Sequence, residues 1–233
     1  MALHTVYLPD LASYAGEIAI SGDEAHHALR VKRLAVGDML GLADGKGRRV
    51  DARIAATEKT REGWLVRVTP QALCDSPRPT PGLTVLAAAP KGDHLGAMID
   101  GLAQVGVSAW APLLSARTVV EPREHKLERL ERIAIEALKQ SGASWLMDIL
   151  PGVRFADALA RPGLIIADAS GQPWSGPPPA QATLLIGPEG GWTPEELDAA
   201  RKAGARVARF GHHTMRTEVA SVVASGVLMF SIA

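Results

Sequence analysis

A short glycine-rich stretch with a carboxylate at its centre spans residues 184–191 and reads L-L-I-G-P-E-G-G. Its three glycines and its proline cannot continue a strand or a helix interior, so they predict a tight loop. The stretch lacks the P-loop pattern and the full dinucleotide fingerprint, and Glu189 would repel a phosphate group. The loop therefore favours a neutral or cationic small ligand. The open alternative is a plain connection between a strand and a helix.

A second concentrated stretch, residues 210–220, reads F-G-H-H-T-M-R-T-E-V-A and also lies between a predicted strand and a predicted helix. It places Arg216, Thr217 and Glu218 at the helix start, where backbone N–H groups are free and threonine is a favourable cap. Two such turns close together in the sequence predict one shared crevice. For Arg216 and Glu218 taken alone, a capping and salt-bridge role is the alternative interpretation.

A third stretch, residues 26–53, carries a local excess of positive charge in a chain whose formal net charge is zero. It contains seven basic side chains against three acidic ones. Such a cluster suits a nucleic-acid backbone, and an ordinary solvated surface is the alternative.

Composition excludes several other classes of protein. The single cysteine, Cys74, rules out an intramolecular disulfide and a cysteine-cluster metal site. The adjacent His212 and His213 cannot both reach one metal from a regular element, and no H-E-x-x-H pattern occurs, so we expect no metal site. No stretch approaches membrane-spanning length and no basic leader precedes an apolar run. We therefore expect a cytoplasmic protein without a membrane partner.

The elements that must position these residues fall into two patterns. Residues 1–73 show short, spaced strand patterns with one helix near 23–34, which predicts a small closed β-barrel. Residues 74–82, C-D-S-P-R-P-T-P-G, predict a linker. Residues 83–233 alternate strands and helices, which predicts a mostly parallel α/β sheet. In such a sheet, a loop between a strand and a helix is where ligands bind.

The three stretches together resemble the RsmE family of bacterial 16S ribosomal RNA uridine-N3 methyltransferases, within the SPOUT class of knotted methyltransferases. The carrying motifs are L-L-I-G-P-E-G-G at 184–191, M-R-T-E at 215–218 and H-x-x-R-V-x-R at 27–33, with Asp44-Gly45 as a hairpin turn. The resemblance covers the chain from end to end, in order. It implies an N-terminal PUA-like β-barrel that helps to hold RNA, and a C-terminal SPOUT α/β domain with a deep trefoil knot. It also implies a homodimer that uses S-adenosyl-L-methionine.

The resemblance further implies roles for particular residues. The cofactor-binding residues expected are Asp168, Ile186, Gly187, Pro188, Glu189, Gly190, Gly191, Gly211, Met215, Arg216 and Thr217. The RNA-binding residues expected are His27, Arg30, Lys32, Arg33, Arg48, Arg49 and Lys91.

Uracil N3 is a poor nucleophile until its proton leaves, so a base and a stabilising cation must stand near the methyl donor. Arg216 is expected to stabilise the developing charge and Glu218 or Asp168 to take the proton, unless Glu218 only orients Arg216. The substrate implied is 16S ribosomal RNA or the small ribosomal subunit, near the decoding site.

The chain also departs from the family pattern. Gln104 stands where the family's E-L-G-V motif has glutamate, Ala143 stands where Q-S-G-R has arginine, and Val219 follows R-T-E where threonine is common. Gln104 and Ala143 fall outside the expected cofactor loops. The alternative they raise is a catalytically weak or retargeted SPOUT-like dimer that holds another RNA.

Overall fold

The computed structural model describes residues 3–11, 16–120, 122 and 124–231, with residues 124 and 125 described by their backbone alone. The chain divides into two compact units. Unit 1 comprises Met1–Arg78 and Ile135–Leu146, and unit 2 comprises Pro79–Ala134 and Met147–Ala233. The domain bounds expected from the sequence stay predictions.

Unit 1 is built on a five-stranded sheet with the strand order β1-β3-β4-β5-β2. Its strands are β1 (Thr5–Tyr7), β2 (Ile18–Ile20), β3 (Met39–Ala43), β4 (Arg48–Thr60) and β5 (Gly63–Asp75). The predicted hairpin between β3 and β4 is confirmed: Asp44 Oδ1 accepts hydrogen bonds from the backbone N–H groups of Lys46, at 2.6 Å, and Arg48, at 3.0 Å. Closure of the sheet into a barrel stays a prediction.

Two details of unit 1 differ from the sequence-based expectation. Strand β5 continues through Cys74 and Asp75, which the sequence placed in the linker. The helix expected at 23–34 is a short α1 (Gly22–His26) followed by a π-helical turn, His27–Val31. The Lys32 N–H donates to the carbonyl of His27 at 3.0 Å, five residues back. Hydrophobic periodicity does not distinguish this bonding pattern from an α-helix, which explains the difference.

Unit 2 is an α/β unit around a mostly parallel sheet, as the sequence predicted. The strand order is β12-β10-β11-β6-β7-β8, and β9 pairs with β7. The strands are β6 (Gly82–Ala87), β7 (Ala109–Leu114), β8 (Asp148–Ile149), β9 (Val153–Arg154), β10 (Leu164–Pro173), β11 (Gln181–Ile186) and β12 (Arg206–Arg209). The helices are α2 (His94–Gln104), α3 (Glu124–Ser141), α4 (Phe155–Ala158), α5 (Pro194–Lys202) and α6 (Thr217–Phe230). The last turns of α3, from Ile135, belong to unit 1.

Strand β10 runs further than the sequence indicated. The four prolines of residues 171–179 predict a loop, but β10 extends through Pro173. Its pairing with β12 shifts register between Ala167 and Gln172, both of which lie opposite Ala208. The extra residues therefore form a bulge. Gly171 lies in this bulge, where a Cβ would come within 2.6 Å of the backbone nitrogen of Ala208, so a glycine is required.

Aliphatic side chains dominate both buried cores in this chain of low aromatic content: valine, leucine and isoleucine in unit 1, and leucine and alanine in unit 2. The core beneath the C-terminal strand ends includes Leu86, Leu113, Ile166, Leu185 and Trp192. Across the described ranges, no helix is both long and apolar enough to span a membrane.

Candidate active site

Three segments of neighbouring strands meet at one edge of the unit 2 sheet: the bulge of β10 at Ala167–Ala169 and the turns after β11 and β12. Strands β10, β11 and β12 are adjacent and parallel, so these segments lie at the same edge. Together with the start of α6 they line a cleft of about 470 Å³. Crevices at the carboxyl ends of parallel strands are the usual ligand sites of such sheets. The two turns singled out in the sequence therefore share one crevice, as predicted.

Two hydrogen bonds join the bulge of β10 and the two turns to one another. The indole Nε1–H of Trp192, which is 6% exposed, donates to the carbonyl of Ala167 at 2.9 Å. The hydroxyl of Thr217 donates to the carbonyl of Gly187 at 3.3 Å. Gly187 packs against the indole so closely that a Cβ would lie 3.0 Å from the ring. A side chain at position 187 would therefore displace Trp192 from its bond.

The buried carboxylate of Glu196 fixes the glycine-rich loop at the start of α5. The sequence T-P-E-E at 193–196 predicts a capping box, and the structure has it: Glu196 Oε2 accepts the N–H of Thr193 at 2.9 Å, and Thr193 Oγ1 accepts the N–H of Glu196 at 3.2 Å. The other oxygen, Oε1, accepts the N–H of Ala116 at 2.8 Å, from the turn after β7. Glu196 thus joins two turns that are 80 residues apart in the chain.

Arg117 fixes the same loop from the other end. Its Nη1 donates to the carbonyl of Gly190 at 2.6 Å and lies 3.4 Å from the carbonyl of Trp192. The turn that carries Arg117 is itself closed by Thr118, whose hydroxyl donates to the carbonyl of Leu113 at 3.1 Å. The loop that reads G-P-E-G-G is therefore held by side chains that lie outside it.

The cleft combines an apolar wall with charged groups of both signs. Ile186, Trp192, Phe210, Ala220 and Ala224 supply the apolar surface. The charged or titratable groups that line it are Asp168, Glu189, Arg209, His212, His213 and Arg216. The Oδ1 of Asp168 accepts hydrogen bonds from the backbone N–H of Ser170, at 2.9 Å, and from its hydroxyl, at 2.6 Å. Such a cleft suits an organic ligand with an aromatic part and a cationic part.

Comparisons with known proteins agree with this geometry. A family model described as an RNA methyltransferase domain matches residues 76–229, and one described as an RNA methyltransferase PUA domain matches residues 20–61. The ribosomal RNA small subunit methyltransferase E of Synechocystis sp. is 30% identical over 236 residues, which cover 96% of this chain and 76% of that protein. Its counterpart in Mycobacterium bovis is 30% identical over 97% of this chain and 90% of its own length.

This chain belongs to the RsmE family. Among solved structures, a ribosomal RNA small subunit methyltransferase E from Neisseria gonorrhoeae bound to S-adenosyl methionine is similar, with a TM-score of 0.84 and 26% identity. The alignment covers 97% of this chain and 96% of that one. The family recognised from the sequence motifs is therefore confirmed.

Nearly all of the residues that the RsmE resemblance assigned to the cofactor line the cleft. The lining includes Asp168, Ile186, Gly187, Pro188, Glu189, Gly191, Gly211, Met215, Arg216 and Thr217. Gly190 lies outside this set, and its carbonyl is bonded to Arg117. A Cβ on Gly190 would meet the Arg117 side chain at 3.3 Å, so a bulky residue there would disturb that anchor.

Glu218 lies on a different face of α6 from the cleft-lining residues. Its Oε1 is 3.4 Å from Nδ1 of His94 in the first turn of α2, and its side chain is 14% exposed. The two helices pack closely, since a Cβ on Gly101 of α2 would come within 2.8 Å of Val222. Glu218 precedes Val222 by four residues and therefore lies on the same face of α6, towards α2. The structure thus pairs Glu218 with His94.

The residues expected to bind RNA differ in how free their side chains are. Arg30, Lys32, Arg33 and Lys91 are exposed and His27 is half-buried. The two remaining arginines already have partners within unit 1. Arg48 Nε lies 3.5 Å from Asp75 Oδ1, and Arg49 donates from Nη1 to the carbonyl of Gly142.

Sequence reasoning missed several residues of the cleft. Trp192, Arg209 and Phe210 line it although no motif singled them out. Ala220 and Ala224 also line it, and their three- and seven-residue spacing from Thr217 is the helical signal that would have found them. Within the part of the chain that the structure describes, no group of three or more His, Cys, Asp or Glu side chains is arranged to hold a metal ion.

Replacing Glu196 by glutamine tests whether its two hydrogen bonds, to Ala116 and Thr193, stabilise the protein. Glutamine keeps the shape but offers only one acceptor oxygen, so either Ala116 or Thr193 loses the partner of its N–H. We expect the free energy of unfolding in urea to fall by about 2 kcal/mol. The Glu131→Gln variant is the control, because Glu131 is an exposed glutamate of α3 away from the cap, and it should change stability by less than about 0.5 kcal/mol. Equal stability of the two variants would show that these two hydrogen bonds are dispensable.

Proposed function

We propose that this protein is an S-adenosyl-L-methionine-dependent methyltransferase that methylates N3 of a uridine in 16S ribosomal RNA near the decoding site. The observation that carries the proposal is that Met215, Arg216 and Thr217 of M-R-T-E line the same cleft as most of the glycine-rich loop. Family membership supports the methyltransferase activity. Similarity to methyltransferases along nearly the whole chain does not favour the alternative of a dimer that only holds RNA.

The cleft fits the cofactor. Gly187 and Gly211 let the backbone approach Trp192 and Met215 closely, since a Cβ would lie 3.0 Å from the Trp192 ring at position 187 and 3.2 Å from the Met215 methyl group at position 211. Backbone groups of residues 186–191, 211 and 215–217 would hold the adenosyl part. The carboxylates of Asp168 and Glu189 suit a positively charged sulfur. When bound, the cofactor supplies an electrophilic methyl group.

The residues of the chain then have to prepare the uridine. Arg216 lines the cleft with an exposed side chain directly before α6, where it can stabilise negative charge on uracil O4 or O2 as the N3 proton leaves. Asp168 also borders the cleft, which favours it as the direct proton acceptor. Glu218, held by His94, would act through water or by positioning neighbouring groups.

The RNA would be held in part by unit 1, whose exposed Arg30, Lys32 and Arg33 suit phosphate contacts. The departures from the RsmE pattern lie away from the cofactor cleft. Gln104 donates through Nε2 to Asp100 Oδ2 at 2.9 Å on the surface of α2, and the backbone N–H of Ala143 is bonded to Leu138. Neither of these residues nor the third departure, Val219, lines the cleft, so we expect methyl donor binding to be unaffected by the three departures.

The outer face of α6 supports a homodimer. Val219, Val223, Val227 and Phe230 are 45%, 38%, 36% and 72% exposed. Their spacing of four, four and three residues forms one apolar stripe along the helix. A second copy of this chain would cover it.

The family resemblance also supports a deep trefoil knot and a SPOUT fold in unit 2, a PUA-like barrel in unit 1, and a cytoplasmic location where ribosomal RNA is found.

The activity is tested in a strain that lacks the gene. Mass spectrometry of its 16S ribosomal RNA should show that one N3-methyluridine is lost and that the wild-type gene restores it. An Arg216→Ala variant should restore little of the N3-methyluridine. Removing a group that stabilises the developing charge lowers the rate of methylation by a factor of about 10²–10³.

The control for that experiment is Arg201→Ala, an exposed arginine of α5 paired with Asp198, which should restore the modification fully. Persistence of the modified uridine in the deletion strain would refute the assignment. Full restoration by Arg216→Ala would refute the role of Arg216.

The electrostatic part of cofactor binding is tested with Asp168→Asn. S-adenosylmethionine carries a positive sulfur whereas S-adenosylhomocysteine does not, so calorimetry with both ligands separates charge from shape. The variant should lose roughly tenfold in affinity for the cationic ligand, about 1.4 kcal/mol, and distinctly less for the neutral one. Asp198→Asn, outside the cleft, should bind both normally. Equal losses for the two ligands would contradict a charge contact.

The dimer is tested with Val223→Glu, which places a charge in the apolar stripe. Sedimentation should show a dimer for the wild type and a monomer for the variant, because burying an unpaired carboxylate is costly. Val119→Glu alters another exposed valine and should leave the dimer intact. A monomeric wild type would rule out this interface.

A further inference from the structure

Unit 1 contains a cleft of its own, of about 700 Å³. It lies between β1, the π-helical turn, the start of β3 and the end of α3. We call it the histidine cleft and define it by His4, Thr5, His27, Lys32, Glu136 and Lys139. None of these residues lines the cofactor cleft.

Two stacked imidazole rings form its most unusual feature. The ring centroids of His4 and His27 are 5.2 Å apart and their planes differ by 16°. Burial lowers the pKa of His4 to about 4, with the positive charges of His27, Lys139 and Lys32 adding to the effect, so the ring is neutral at pH 7. His27 is only half-buried and keeps accessible surface beyond its contact with His4.

Polar atoms beside this stack lack partners. His4 Nε2 and Thr5 Oγ1 are buried without a hydrogen bond to any residue that the structure describes. A buried polar atom without a partner is costly, and each such atom calls for an explanation such as a bound ligand. Both residues border the histidine cleft.

The charges of the cleft cancel. Lys139 Nζ is bonded to Glu24 Oε1 at 2.7 Å and to Glu136 Oε1 at 2.9 Å, and its side chain is only 8% exposed. Asp38 also lines the cleft and offsets the exposed Lys32. Two carboxylates next to the buried ammonium group disfavour a phosphate there. The interior therefore suits a flat, neutral, polar group.

The backbone at this place is irregular as well. His27 opens the π-helical turn, and Arg33, just after it, has a φ of 57°, in the left-handed region that residues other than glycine rarely adopt. π-helical turns and such strained residues concentrate at functional sites. The same short segment exposes Arg30, Lys32 and Arg33, so an aromatic ring and a row of cations stand within seven residues of one another.

We propose that the histidine cleft binds one unpaired nucleobase of the RNA substrate, stacked on His27, while Arg30, Lys32 and Arg33 contact the adjoining phosphates. Single-stranded RNA is recognised by stacking of its bases on aromatic side chains next to a basic track. The proposal rests on the proposed function in taking RNA as the substrate, and it adds the position and the chemistry of a second recognition point.

The test measures binding of a short single-stranded RNA of the target segment by fluorescence anisotropy at several salt concentrations. His27→Ala should weaken binding roughly tenfold or more, because the loss of one base stack is large, and should leave the salt dependence unchanged. His27→Phe should bind nearly as well as the wild type. Arg30→Ala should reduce the slope of log affinity against log salt by about 0.7, the value of one phosphate contact in single strands.

His26→Ala is the matched control, since His26 is the exposed neighbour in α1 and should have no effect. RNAs with a single abasic position identify the stacked base. For the RNA that lacks this base, His27→Ala and the wild type should bind with equal affinity, because the stacking contact is already absent. Circular dichroism and thermal unfolding check that each variant is folded.

Normal binding by His27→Ala, or equally weak binding by His27→Phe, would overturn the stacking proposal and leave the methyltransferase assignment intact. A reduced salt slope in His27→Ala would show a charge contact instead and would also overturn it. A wild-type protein that binds cofactor but no RNA would overturn both this proposal and the RNA substrate.

Discussion

The cofactor cleft depends on one buried carboxylate. One carboxylate oxygen of Glu196 accepts a hydrogen bond at the N-terminus of helix α5, and the other accepts one from Ala116, in a turn from a distant part of the chain. The same turn carries Arg117, which donates a hydrogen bond to the carbonyl of Gly190 in the glycine-rich loop. A loop with so few side chains has little means of fixing its own shape, because glycine loses much conformational freedom on folding. Its conformation is therefore imposed by neighbours.

Parallel strand pairing supplies the rest of the cleft. Once β10, β11 and β12 lie side by side in the same direction, the bulge of β10 and the turns after β11 and β12 must meet at one edge. Two hydrogen bonds, from Trp192 to Ala167 and from Thr217 to Gly187, then join these segments. A pocket built in this way can present backbone groups and two carboxylates to a ligand without long side chains filling the space.

The local parts of this arrangement were predictable and the long-range parts were not. The capping box from Thr193 to Glu196 follows from four consecutive residues, and the alternation of strands and helices follows from hydrophobic periodicity. The second bond of Glu196 and the pairing of Glu218 with His94 join residues far apart in sequence, and no periodic signal encodes them. The π-helical turn was not predicted for a different reason. Its sequence is compatible with an α-helix, and only the hydrogen bond from Lys32 to the residue five positions back distinguishes the two kinds of helix.

The residues that line the two clefts form separate sets, one within unit 2 and one within unit 1. With the roles proposed for the two clefts, substitutions in the histidine cleft alter the RNA that is accepted without touching the surface proposed to hold the methyl donor. Selection can then change substrate choice while the chemistry is conserved. This separation offers a physical route by which relatives about 30% identical to this chain can keep one reaction while their surfaces diverge.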